Sequence, residues 1–222
     1  MSSKNNYQQL SEQVASKIRD LITRGEIKPG EWLRQEHLAQ VVGVSHTPFR
    51  EAVKLLVAEG LLEHLPHRGV RVIQFSVQDI EDIYTVRGVL EGRAAAAAAE
   101  QITEPELNEL DRLLSEMKTH LAPEQISIYR ELNRRFHQGV YAASRHPYLI
   151  RILNQVWAFS PTMLWAQFAP TSSTPLSSRT LADPVEHEQI LAALRKRDSK
   201  TAERLVREHI EAAGRELIQA IQ

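Results

Sequence analysis

Cysteine is absent from the 222 residues, which excludes disulfides and thiolate-bound metals at once. A metal site in this chain has to be built from His, Asn, Asp, Glu or water. Long apolar runs are missing too, since no stretch approaches the ~20 residues that a membrane-spanning helix needs. The opening Met1-Ser2-Ser3-Lys4-Asn5-Asn6 has no apolar core of a secretory leader, so a cytoplasmic protein with no membrane partner is expected. Charge of one sign is scarce as well. The formal net charge is −1, which argues against a nonspecific coat on nucleic acid. The balance nevertheless changes along the chain. Residues 1–76 hold 10 Lys and Arg against 8 Asp and Glu, and the remainder holds 17 against 20. That asymmetry is compatible with a DNA-reading front half.

What is present is ordinary core-forming material: 42% hydrophobic and 25% charged residues, enough for two modest domains or one large one. Leu10, Val14, Ile18, Leu21 and Ile22 recur at helical spacing and predict an amphipathic helix over about 8–24. Gly25 ends it, and Lys28-Pro29-Gly30 makes a turn. A second helix is expected near Gln35–Val42, then a sharp turn at Gly43. A third, capped by Ser45, runs to about Glu59 and buries Phe49, Val53, Leu55 and Leu56. Two short apolar stretches, Leu61–Leu65 and Val70–Phe75, flank Pro66-His67-Arg68-Gly69 and read as a β-hairpin with a basic tip. Three helices and a small hairpin make a winged helix-turn-helix. Its third helix opens with Ser45, His46, Thr47 and Arg50, the short polar donors and the arginine that can enter a major groove end-on.

Beyond Ser76 the pattern is almost wholly helical, so residues 77–222 are read as a second, all-α antiparallel bundle and 1–76 as the DNA-binding domain. Helices are expected from Ile80 through the run Ala94–Ala99, from Thr103 to about Met117, over about Glu124–Ala142, from Pro147, over about Pro184–Lys196 and over Ser199–Ile221. The Pro-, Ser- and Thr-rich stretch Ala169–Asp183 is expected to be a flexible loop.

Three of the nine histidines fall on apolar helix faces: His137, His187 and His209. Asn133 lies four residues before His137, on the same face. His187 and His209 are 22 residues apart with Asp198 at their midpoint. An antiparallel hairpin about that turn puts both ~16 Å from it, on one level. A lone apolar-face histidine is more often a satisfied core residue, but three of them with an amide partner point to a metal site. Neutral imidazoles with one oxygen ligand suit Zn²⁺, Ni²⁺ or Mn²⁺. Arg87, with Glu91 at i+4, has two readings: an intrahelical ion pair, or a fork that grips a small carboxylate beside the metal.

The runs Gly25-Glu26-Ile27-Lys28-Pro29-Gly30-Glu31-Trp32-Leu33, Gly43-Val44-Ser45-His46-Thr47-Pro48-Phe49-Arg50-Glu51-Ala52 and Glu59-Gly60-Leu61-Leu62 resemble the GntR family of bacterial transcription regulators. Val86-Arg87-Gly88-Val89-Leu90-Glu91, Asn133-Arg134-Arg135-Phe136-His137, Glu186-His187 and Arg207-Glu208-His209 resemble its FadR subfamily, whose FCD domain is all-helical and here looks like the shorter, six-helix VanR-like type. The resemblance implies a homodimer, a palindromic double-stranded operator, and an organic-acid effector beside a metal held by the oxygen ligand and three histidines. It departs at two positions. The family usually has arginine where this chain has His46, and often aspartate where it has Asn133. His46 offers guanine one hydrogen bond rather than a bidentate pair, and Asn133 brings no negative charge to a cation.

The expectation is therefore a metabolite-switched DNA-binding regulator, in repressor sense, and not an enzyme. Ser45, His46, Thr47 and Arg50 would read the operator, and His67, Arg68 and Gly69 would approach the minor groove or phosphates. Asn133, His137, His187 and His209 would hold the metal, and Arg87 the effector. Three other readings stay open: a metalloregulator for which the ion itself is the signal, a small zinc hydrolase, and purely structural histidines that hold no ion. Against the hydrolase, no HExxH motif occurs and Glu186, adjacent to His187, points elsewhere on its helix.

Overall fold

The computed structural model describes residues 2–23, 26–33, 46–159 and 177–221. The helix expected near Gln35–Val42, the turn at Gly43, the cap Ser45 and most of the stretch from Ala169 lie outside the described residues. Among the described residues the chain divides into two compact units, one of those up to Phe75 with Ala158 and Phe159, the other of Ser76–Trp157 and those from Ser177 on.

In the first unit, α1 (Ser2–Thr23) starts earlier than its apolar periodicity. It packs Val14, Ala15, Ile18 and Ile22 against α2 (His46–Ala58), whose inward face is Phe49, Ala52, Val53 and Leu56. Leu55, expected inside, is exposed: it lies ~100° round the helix from Leu56, beyond the edge of the arc that buries Phe49, Ala52, Val53 and Leu56. A forked ion pair from Arg19 to Glu59, 2.8 Å, ties the two helices together at their rim. The hairpin forms from β2 (Leu62–Leu65) and β3 (Gly69–Val72), the latter ending three residues short of Phe75. A strand the periodicity did not announce, β1 (Trp32–Leu33), pairs with β3, giving an antiparallel sheet of order β1-β3-β2. Two residues carry too little alternation to be read as a strand. Its pairing shows instead in Arg71, which stacks 5.7 Å over the Trp32 ring and bonds Glu63 at 2.6 Å. Helices α1 and α2 with this three-stranded wing form the winged helix-turn-helix.

The second unit is all helical in its described residues, apart from connecting turns. Helix α3 (Val77–Gln101) is opened by a capping box in which Ser76 Oγ accepts from Asp79 N at 3.1 Å and Asp79 Oδ2 accepts from Ser76 N at 2.7 Å. Helix α4 (Glu104–Thr119) starts with the same device, Thr103 and Glu106. A 3-10 turn, Pro123–Gln125, precedes α5 (Ile126–Ala142), so this helix starts two residues later than expected. Helix α6 (Pro147–Phe159) follows. Helix α7 (Ser177–Arg195) begins inside the stretch expected to be a loop and carries Pro184 in its interior. Helix α8 is Ser199–Ile221.

Helices α3 and α8 lie exceptionally close. All of Ala94–Ala99 is buried, and a Cβ on Gly92 would sit 2.9 Å from the backbone oxygen of Glu203. Small residues let the two backbones approach where larger ones would hold them apart. The turn between α7 and α8 also serves α3. Arg197, at φ 54, donates to the carbonyls of Glu100 (3.1 Å) and Ile102 (3.0 Å), which the end of α3 leaves without helical partners.

Candidate metal centre and nucleic-acid face

Three helices deliver the histidines. His137 comes from α5, His187 from α7 and His209 from α8, and all are buried. The hairpin places His187 and His209 with ring centroids 4.6 Å apart, and His137 stacks on His209 at 5.1 Å. Phe136 meets the His187 ring edge-on at 4.7 Å and closes one side in apolar material. The Nε2 atom of His137 lies 3.4 Å from that of His187 and 3.2 Å from that of His209.

The rear nitrogens explain this arrangement. His137 Nδ1 lies 3.0 Å from Glu91 Oε2, His209 Nδ1 2.6 Å from Glu186 Oε2, and His187 Nδ1 2.6 Å from the backbone oxygen of Asp183. A carboxylate or carbonyl oxygen only accepts, so each Nδ1 donates to its partner, and in the neutral imidazole each Nε2 keeps a lone pair. Three lone pairs then face one another with no hydrogen among them. One proton could bridge a single pair of nitrogens, whereas a metal ion satisfies all three. The spacing agrees, because Zn–N bonds of ~2.0–2.1 Å in tetrahedral array separate the nitrogens by ~3.3 Å. One turn before His137, the Oδ1 of Asn133 is buried and makes no hydrogen bond. A buried carbonyl oxygen left that way is costly, and a cation is one thing that satisfies it. On these grounds the donor set fits a divalent ion.

Arg87, on α3, is buried and reaches Glu91 Oε1 through its Nε at 2.9 Å. Its guanidinium lies 4.1 Å over the Trp157 ring and 5.2 Å over that of Tyr84. The intrahelical pair is thus formed, while Nη1 and Nη2 make no hydrogen bond among the described residues. Glu91 receives three donors in all: Arg87, the Trp157 indole (3.0 Å) and His137. Burial alone would raise its pKa, but the Arg87 charge and the His137 contact outweigh that and hold it below its ordinary value. The carboxylate is therefore ionised.

Four residues of this site went unassigned at the level of sequence. Trp157 carried no signal beyond an apolar pattern, and Asp183 closed the stretch expected to be a flexible loop. Glu91 was visible only as a partner for Arg87. Glu186 was expected to point away, and it does project differently from His187, yet that direction leads to the rear of His209. Arg130, three residues before Asn133 on α5, is a further guanidinium at this end of the helix, its pKa pushed down to about 10 by burial.

On the other unit, α2 exposes Thr47 and Arg50 in its first turns, with Pro48 buried beside them. Proline is tolerated there because the first helical N–H groups have no partner to lose. The side chain of His46 and all of Ser45 lie outside the described residues. The wing tip is a tight turn, closed by Arg68 N donating to Leu65 O at 3.1 Å. His67 (φ 63) and Gly69 (φ 102) are both left-handed, and His67, Arg68 and Gly69 are exposed.

Comparison with known proteins gives the same division. A family described as bacterial regulatory proteins, gntR family, matches residues 10–72, and one described as FCD domain matches residues 82–212. The chain is 32% identical over 146 residues to YdhC, an HTH-type transcriptional regulator of Bacillus subtilis, the match spanning 65% of each protein. It is 30% identical over 148 residues to the HTH-type transcriptional regulator McbR of Escherichia coli, 67% of each. The solved structure of E. coli McbR/YncC superimposes with a TM-score of 0.73 at 25% identity, over 96% of this chain and 99% of that one.

Proposed function

From the premise that this chain belongs to the GntR family, with an FCD domain as its helical unit, we propose that it is a metabolite-responsive repressor. In this reading it binds a palindromic operator as a homodimer and takes a small carboxylate near a metal in the FCD domain. The family is one of transcription regulators and not of enzymes. The hydrolase alternative gains no base from Glu186, which is bonded to the rear of His209.

One observation carries the effector half of the proposal: three imidazole lone pairs converge, each fixed from behind by an acceptor. His137, His187, His209 and Asn133 would hold the ion. A divalent ion bound there supplies a fixed positive charge to which a carboxylate can be drawn. Arg87 would hold the carboxylate with Nη1 and Nη2, its Nε staying on Glu91. Thr47 and Arg50, with Ser45 and His46, would meet base edges and phosphates, and the exposed tip His67-Arg68-Gly69 would lie along the neighbouring backbone.

The homodimer is supported by an apolar surface on the second unit. Val86 and Val89 of α3 and Tyr148 and Ile152 of α6 are exposed, beside the buried contact of Ala94 with Leu153 and Trp157. Exposed apolar groups on two adjacent helices mark an association surface. Effector binding would shift the population of arrangements of the paired DNA-reading units, to the extent that the effector prefers one of them.

The test is a thermal-shift screen of small mono- and dicarboxylic acids, with and without chelator, followed by gel shifts on the operator. Stabilisation by a carboxylate that disappears with chelator, and a change in operator affinity with the same compound, are expected. If no carboxylate stabilises the metal-loaded protein, the effector reading is wrong. Operator affinity that follows the metal at fixed metabolite would make the ion the signal.

A further inference from the structure

The three imidazoles are not held alike. His187 is anchored within its own helix, to the carbonyl four residues back. His137 is anchored to Glu91, which the Arg87 and Trp157 contacts lock in a dry interior. His209 is anchored by the Glu186 carboxylate of α7, at 2.6 Å, a partly exposed group adjacent in sequence to His187. Adjacent helical residues project ~100° apart. One turn of α7 therefore presents His187 to the centre of the site and Glu186 to the outside of a ring on α8.

From this we infer that Glu186 is a positioning residue of the metal centre. Its carboxylate fixes the tautomer and rotation of His209, so that Nε2 faces the Nε2 of His137 at 3.2 Å. Without it no carboxylate holds the His209 proton on Nδ1, and a metal would have to select one tautomer on binding. Outer partners of this kind orient a ligand and raise its basicity, and their loss typically weakens metal binding 10–100-fold. Two of the three imidazoles then depend on consecutive residues of α7. The inference rests on the metal reading above.

Full-length wild type, Glu186→Ala and Glu186→Gln are compared by Zn²⁺ competition against a chromophoric chelator, by the absorption spectrum of the Co²⁺-loaded protein, and by ring ¹⁵N shifts of metal-free protein. Glu186→Ala should lose roughly 10–100-fold in Zn²⁺ affinity and change the Co²⁺ bands. Glu186→Gln, whose amide oxygen still accepts from Nδ1, should recover most of the affinity and the wild-type bands. Alanine and wild-type proteins that bind Zn²⁺ alike would overturn the inference, as would a glutamine variant no better than alanine, which would make the contribution one of charge and not of position. If the alanine variant loses its helical circular dichroism, the glutamine variant and the metal-free wild-type ring shifts decide. His209 carrying its proton on Nε2 would overturn the inference. A wild-type protein that takes up no Zn²⁺ would instead overturn the metal reading beneath it.

Discussion

Replacing Glu91 with alanine tests the buried group that joins α3 to the histidine cluster. The side chains of Arg87 and Glu91 are 5% and 3% exposed, which puts the pair in the interior regime and not among surface bridges worth about 0–1 kcal/mol. Removing one partner from a buried pair strands the other charge and costs about 3–5 kcal/mol. The Trp157 indole N–H and His137 Nδ1, each now 3.0 Å from Glu91, would lose their acceptor as well, each adding up to about 1–3 kcal/mol. These losses overlap, because water entering the vacated space can serve all three donors, so the expected total stays at about 3–5 kcal/mol. Against the 5–15 kcal/mol typical of a domain, that is a large share. Urea unfolding of metal-free protein, followed by helical circular dichroism, measures it. A companion variant carrying Arg87→Met and Glu91→Leu should recover most of the loss, since it buries no charge. A loss below about 1 kcal/mol for Glu91→Ala would refute the reasoning and show that solvent reaches the pair.

The structure sets four further expectations. Arg50→Ala should weaken binding to every operator by more than ~1 kcal/mol in a gel shift while leaving circular dichroism unchanged; unaltered affinity would remove Arg50 from the reading face. Gly92→Ala gains at most about 1 kcal/mol of helix propensity, but its Cβ meets a backbone oxygen that cannot turn aside, so a net loss of about 1–2 kcal/mol is expected in thermal unfolding. At Gly88 the nearest atom is the flexible Glu211 Cγ at 3.3 Å, so Gly88→Ala should be close to neutral in the same measurement. Asn133→Asp should tighten Zn²⁺ binding at least tenfold in chelator competition, because it adds a negative charge to an uncharged donor set; equal affinity would place residue 133 outside the coordination sphere.

Much of this was legible in the residues, for physical reasons that also mark where legibility stopped. Helical periodicity survives in sequence because one face is buried, which is why α4, α5 and α8 lie close to where Leu110, Phe136 and Val206 put them. The meeting of His187 and His209 followed from equal distances to one turn, a relation that needs only the rise of a helix. Strand β1 failed that kind of reading because two residues carry no period, and its existence depends on β3 offering an open edge. The start of α7 failed for the opposite reason. Ser, Thr and Pro are poor helix formers by local propensity, yet a helix runs from Ser177 through Pro184.

Glu186 shows most clearly what sequence reasoning leaves out. Adjacent to His187, Glu186 points elsewhere on the helix and is out of place as a base at the centre of the cluster. A histidine has two nitrogens on opposite edges of its ring, so a cluster of three histidines has an outer circle of acceptors as well as a centre. Residues beside a ligand, poorly placed for the centre, can be well placed for that circle if a neighbouring helix supplies the ring. The same logic revises Arg87. The ion-pair and carboxylate-fork readings compete only if the guanidinium has one edge to offer. Here Nε is spent on Glu91, whose other oxygen holds His137, and the two terminal nitrogens remain. A carboxylate bound by Arg87 would therefore act on a group already joined, through a single side chain, to a proposed metal ligand.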